Sequence, residues 1–277
     1  METLTRKAVQ RVGADGRTRE YQITVPESPR AVVLAFHPYG FDPEAVLDGE
    51  MPGLRLERPF PGLATPAARL GFAAVAPRGL GKVEPLAGTL GYPEHIDAAV
   101  EAAVATAEDL GGLPIVTLGV SLGGQETLLA AGRHSDAISG VCAVNPIVDL
   151  AAWYDDIVNL PISLLADIGV PAQVAEEVGG TPADVPELYL ERSAVGYLDE
   201  LSVVPVQVVW SPIDNLIPNG KTKHAGRLAK LLRERGAPVS ERIVTNHPTE
   251  GQEPGRYAHE SFDVWSSLGF LLDQLER

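Results

Sequence analysis

The sequence predicts an α/β protein with a mostly parallel central sheet and helices on both faces. Three observations carry this. Runs such as RAVVLAFH, FAAVAP, PIVTLGV, AISGVCAVNP and VPVQVVWS are continuously apolar, without the alternation of a half-solvated strand, so they read as strands covered on both sides. Helix-patterned segments separate many of them, as in a layered α/β domain. The stretch PIVTLGVSLGGQETLLAAG passes from strand to helix through a serine crowded by glycines.

The elements follow in order. KAVQRV and REYQITV alternate and flank the turn signal GADG, so they form an antiparallel opening that makes the sheet mixed. RAVVLAFH is the third strand. A Pro/Gly-rich region and the helix ATPAARLG lead to the short strand FAAVAP. HIDAAVEAAVATAEDLG reads as a helix, with acidic residues early and glycine after its end. PIVTLGV then enters Ser121. AISGVCAVNP and VPVQVVWS follow as strands, KHAGRLAKLLRERG as a helix, ERIVTNH as a last short strand and FDVWSSLGFLLDQL as the closing helix.

One segment breaks the alternation. Between the strands ending near Pro146 and starting near Val204 lie roughly fifty residues of helical pattern, broken by Pro161, Pro171 and Pro182, too long for a simple crossover. Residues 148–202 are therefore expected to form a helical cap over the carboxyl edge of the sheet, where open α/β sheets bind ligands. The expectation is one domain, 1–277, with that insertion, and with Trp153, Tyr154 and Leu164 lining the pocket.

Composition narrows the partners. A net charge of −15, with no stripe of lysine and arginine, disfavours nucleic acid. No segment has the apolar length of a membrane span and the amino-terminal stretch lacks a secretory core, so a soluble, cytoplasmic protein with a small-molecule partner and no membrane is expected. Cys142 is the only cysteine, which excludes an internal disulfide and a cysteine-based metal site; in ISGVCAVNP it reads as core. No cofactor and no metal are expected. Oligomeric state leaves no trace in the sequence.

The serine among glycines has a chemical reading. A tight passage from strand to helix strains the residue at its tip, and only glycine avoids collision beside it. Ser121 Oγ then projects above the sheet, with the Leu122 N–H at the start of the new helix aimed at whatever the oxygen attacks. Gly119-Val120-Ser121-Leu122-Gly123 is thus a nucleophile elbow. A serine hydroxyl needs a base, and the base an orienting acid, which follow such an elbow in the order acid, histidine. Asp214 stands just beyond the run VPVQVVWS, whereas Asp149, Asp155, Asp156 and Glu191 fall in the cap. His247 and His259 compete as the base. His259 is preferred because the start of the last helix returns it to the sheet edge. His37, His95, His134 and His224 are expected to be structural or solvent-facing, the last two on surface helices. The second oxyanion donor is expected from the loop His37-Pro38-Tyr39-Gly40: Pro38 has no N–H, so Tyr39 supplies it.

On GVSLGG, on ERSAVGYLDELSVVPVQVVWSPIDNLIP and on the order of elements, the chain resembles the α/β-hydrolases. From about Arg30 to Leu275 it is similar to the catalytic domain of the prolyl oligopeptidase family. The resemblance implies a cofactor-free Ser/Asp/His acyl hydrolase, with Ser121 and Asp214 carried over directly. Pro38 departs from the glycine of the related His-Gly loop, and neither late histidine follows glycine. Family spacing favours His247; the short approach to the final helix favours His259. With no length left for a β-propeller, a stand-alone carboxylesterase-like enzyme is expected before a peptidase or amidase on short peptides. A non-catalytic ligand-binding protein is the alternative from another class.

Overall fold

The computed structural model describes residues 4–49, 62–82, 89–159, 169–245, 254–259 and 262–276. Eight strands among them form one sheet: β1 (Thr5–Val12), β2 (Thr18–Val25), β3 (Ala31–Phe36), β4 (Phe72–Pro77), β5 (Ile115–Val120), β6 (Ile138–Val144), β7 (Val206–Trp210) and β8 (Val239–Ile243). Their spatial order is β1-β2-β4-β3-β5-β6-β7-β8. β1 and β2 pair antiparallel, as do β2 and β4, and every later pair is parallel.

The continuous apolar runs have a plain cause. Along β3, Val32, Leu34 and Phe36 enter one core cluster while Ala31, Val33 and Ala35 enter the other, as a period of two requires of a strand covered on both faces. The first face is packed by α3 (Pro93–Asp109), α4 (Leu122–Arg133) and α9 (Ala225–Glu234) through residues such as Ile96, Leu128 and Leu228. The second is packed by α1 (Pro43–Asp48), α2 (Ala64–Arg69) and α11 (Val264–Leu275) through Leu47, Ala67 and Leu268. Cys142 is fully buried in this second face.

Helix starts follow local chemistry. Proline at the first position opens α1 and α3, where its missing N–H costs no helical bond. Asp42 caps α1 by accepting from Ala45 N–H at 2.7 Å, and Asp263 caps α11 by accepting from Ser266 N–H.

Between β6 and β7 the chain is helical: α5 (Leu150–Asn159), α6 (Val170–Val178), α7 (Pro186–Glu191), a 3₁₀ turn at Ala194–Tyr197 and α8 (Leu198–Leu201). Leu150, Trp153, Val170, Val174 and Tyr189 form a third core cluster with Leu122 at the start of α4. This cluster covers the carboxyl edge beside Ser121. Leu164 lies outside the described residues. No helix among the described residues is long and apolar enough to cross a membrane.

Candidate active site

Strand order reverses between β3 and β5: the chain goes from β3 outward to β4, then returns past β3 to β5. In open α/β sheets the loops that leave the carboxyl ends at such a reversal are where ligands bind. The loop after β3 carries Tyr39, and β5 runs straight into Ser121.

Ser121 has φ 60° and ψ −121°, a conformation an L-residue adopts only under constraint from its surroundings. The constraint is visible. A Cβ on Gly119 would sit 2.2 Å from Gly123 O, and one on Gly123 would sit 2.3 Å from Phe36 O, so helix and strands touch backbone to backbone. Ser121 N–H bonds Val144 O of β6 at 2.8 Å, which fixes the tip against the neighbouring strand. Leu122 N–H opens α4 and belongs to the donors that a helix start leaves without an intrahelical acceptor.

The loop after β3 is a turn in which Phe41 N–H bonds Pro38 O at 3.1 Å, with Gly40 at φ 78°. That is the geometry of a type II turn, whose first central residue, Tyr39, has no N–H role inside the turn. His37 anchors the loop from beneath. Its Nε2 accepts from Gly79 N–H at 2.9 Å, so the proton sits on Nδ1 and is donated to Pro38 O at 2.9 Å. Burial keeps this ring neutral by pushing its pKa down. Tyr39 OH donates to Gln173 of α6, tying the turn to the helices above the edge.

Asp214 and His259 meet. His259 Nδ1 lies 2.7 Å from Asp214 Oδ2, and both residues are buried. The other carboxylate oxygen, Oδ1, accepts from Leu216 N–H at 2.8 Å and Ile217 N–H at 3.0 Å, so the acid is held on two sides. His259 ends the short helix α10 (Pro254–His259). His247 lies outside the described residues. The sequence-predicted Ser121, Leu122, Tyr39, Asp214 and His259 therefore all stand at one edge of the sheet, on loops and helix termini after β3, β5, β7 and β8.

Asn145 was not singled out from the sequence, although its φ of 42° at the end of β6 marks it. Its N–H bonds Val209 O at 2.7 Å. Its side-chain Oδ1 accepts from Ser211 N–H at 3.1 Å, and its Nδ2 donates to Ala258 O at 3.3 Å and His259 O at 2.8 Å. One amide thus joins the turn that leads to the acid with the helix that carries the histidine. The Asn-Pro pair after the apolar run was the available signal, since asparagine tolerates positive φ.

His224 corrects a sequence expectation. It immediately precedes α9, and instead of facing solvent it is fully buried, because Val148 N–H donates to its Nδ1 at 3.3 Å and draws the ring beneath the start of α5. Burial lowers its pKa to about 4, so it is neutral. His134 is part-exposed and bonds Asp97 at 2.8 Å. Among the described residues no group of three or more His, Cys, Asp or Glu side chains is placed to hold a metal ion.

Neither a protein-family model nor a curated protein sequence matches the chain. Solved structures do. A Pyrococcus horikoshii acylaminoacyl peptidase superposes with a TM-score of 0.69 at 16% identity, over 100% of this chain and 43% of its own. A ferulic acid esterase gives 0.65 at 14%, over 99% of both chains. An S-formylglutathione hydrolase from Agrobacterium tumefaciens gives 0.63 at 12%, over 99% of this chain and 98% of its own. This chain thus spans less than half the length of the peptidase and nearly all of the two hydrolases. At these identities the likeness is one of architecture, and the architecture is the α/β-hydrolase fold.

Proposed function

We propose that the protein is a serine hydrolase of the carboxylesterase type, cleaving an ester or related acyl bond through Ser121, His259 and Asp214. The observation that carries this reading is the buried Asp214–His259 hydrogen bond on the sheet edge where a strained serine opens a helix. With its Nδ1–H donated to Asp214, His259 leaves Nε2 free to take the Ser121 proton. Ser121 Oγ then bonds the acyl carbon, and the negative oxygen is held by Leu122 and Tyr39 N–H groups. As the carbonyl re-forms, the alcohol departs with the proton carried by His259. Water, deprotonated by the same imidazole, attacks the acyl-enzyme and releases the acid and Ser121. Asp214 holds the tautomer and stabilises the imidazolium between these transfers.

The substrate is a small acyl compound, and its apolar part rests against Leu122, Trp153 and Ile217 in the third core cluster. Residues 148–202 act as the cap of a single domain. The −15 charge argues against nucleic acid, and a lone buried thiol suits a reducing, cytoplasmic compartment. A second reading, amide hydrolysis on short peptides, is favoured by the likeness to the acylaminoacyl peptidase.

Fluorophosphonate labelling and a panel of p-nitrophenyl esters beside peptide anilides test the activity. Labelling is expected in the native protein and absent in Ser121→Ala, with esters turned over faster than anilides. Anilides preferred over every ester would make the protein an amidase; a native protein that neither labels nor turns over would leave only the ligand-binding alternative.

A further inference from the structure

Beneath the Asp214 turn lies a cavity of about 10 Å³, lined by residues that include Asn145, Ser211, Asp214, Ile217 and His224. That is room for about one water molecule. Two of its lining residues carry buried polar atoms without a hydrogen-bond partner among the described residues: His224 Nε2 and Ser211 Oγ. His224 is 0% exposed and Ser211 3%. The tautomer is fixed from the other side of the ring. Nδ1 accepts from Val148 N–H, so the neutral imidazole carries its proton on Nε2, a donor that must find an acceptor in the interior. An isolated buried donor is costly, and a hydroxyl beside it adds to that cost unless a third group connects them. The remainder of the Ser211 turn is already committed, with its N–H on Asn145 Oδ1.

We propose that this cavity is a site for a single ordered water, which accepts from His224 Nε2–H and bonds Ser211 Oγ, and that through it His224 and Ser211 position the Asp214 carboxylate. Water matches the need because it accepts and donates at once, and a carboxylate oxygen holding one histidine has a lone pair left for a second donor. His224 stays neutral in this role: burial outweighs the pull of Asp149, Asp156 and Asp214, and Lys223 opposes that pull. Two of these acids are also engaged elsewhere, Asp149 by Arg227 and Asp156 by Lys223. The positioning role rests on the hydrolase reading above, whereas the water site stands without it.

A high-resolution crystal structure of the whole chain decides the site. An ordered water within hydrogen-bond reach of both His224 Nε2 and Ser211 Oγ is expected; a dry cavity, or a water touching neither atom, overturns the proposal. The positioning role is read in Ser211→Ala, which removes only the hydroxyl and keeps the backbone bond to Asn145. Its low-field proton resonance from His259 Nδ1–H should move, and kcat should fall about fivefold with KM within twofold. A resonance at the native position overturns the positioning role even if the melting temperature falls. His224→Leu provides an independent variant, expected to move the same resonance. Because the water does not depend on turnover, a protein that fails to label with fluorophosphonate sinks the hydrolase reading and the positioning role that rests on it, and leaves the water site standing.

Discussion

At the scale of single residues, the side chain of Asn145 does what the chain between β6 and α10 cannot do covalently. It holds the acid turn and the histidine helix in one register through three bonds. Asn145→Asp keeps the shape but sets an oxygen against the carbonyls of Ala258 and His259. Since a displacement of about 1 Å from productive geometry costs up to about 100-fold in rate, kcat should fall by about 10- to 100-fold. Steady-state kinetics check it, and a native kcat would dismiss the role. Glu126 is a different case. It is buried in α4 with Thr89 Oγ1 donating to it, and burial pushes its pKa well above the ordinary 4.5. A folded-state value raised above the unfolded one contributes stability below the unfolded pKa, and that contribution is lost as pH rises toward the folded value. Glu126→Gln should therefore gain stability relative to the native protein as pH rises above 4.5. Urea unfolding at several pH values measures this, and a difference independent of pH contradicts it.

Elements meet here with little slack. α4 leaves β5 so abruptly that Gly123 backs onto Phe36 O at a distance no Cβ can occupy. Gly123→Ala must push the helix off the sheet, with a cost of about 1–3 kcal/mol as an overpacked site and loss of the Ser121 geometry. Circular dichroism melts and fluorophosphonate labelling together report it; a variant that labels normally would show that the elbow tolerates the shift. The helices between β6 and β7 are locked down by charge rather than by apolar contact alone. Arg192 Nη1 bonds Glu177 at 3.0 Å and Thr89 O at 3.2 Å with both side chains buried, while Gln125 of α4 donates to Arg192 O at 2.6 Å. Removing one partner strands the other charge in the interior. Arg192→Ala should cost about 3–5 kcal/mol, and the double replacement Arg192→Met with Glu177→Leu should recover much of it. Denaturant unfolding separates the two, and equal losses would refute the coupling. Element identity was legible from sequence because continuous apolar runs and caps are local patterns. The Arg192–Glu177 pair was not, since it joins residues 15 apart through a loop path that no periodicity encodes.

Across the whole molecule, His37, His95 and His224 are buried and neutral, with His95 pushed down to about 3 and His224 to about 4. Unfolding exposes them to water, where imidazole binds a proton at about 6.5. The unfolded state then binds more protons, so stability falls as pH drops below about 6.5 and keeps falling toward the folded values. Asp15, held down to about 2 by Arg19, adds a loss further into the acid range. Glu126 runs the other way, one group set against three histidines and Asp15. The melting temperature should decline steadily from pH 7 to 4.5, and a midpoint that rises on acidification would refute it.

By itself the sequence determined the alternation of strands and helices, the antiparallel opening and the elbow at Ser121, because burial on two faces and a tight turn are written in adjacent residues. It also pointed to Asp214 as a candidate acid by its place just beyond a strand. Two histidines were left in competition, and only tertiary structure brought His259 to 2.7 Å from the acid. It alone also put His224 inside, since a helix start looks the same in sequence whether its first ring faces water or a neighbouring loop. Asn145 belongs to the same class: its three bonds span up to 114 residues of chain, and such contacts exist only after the sheet has set β6, β7 and the last helices side by side.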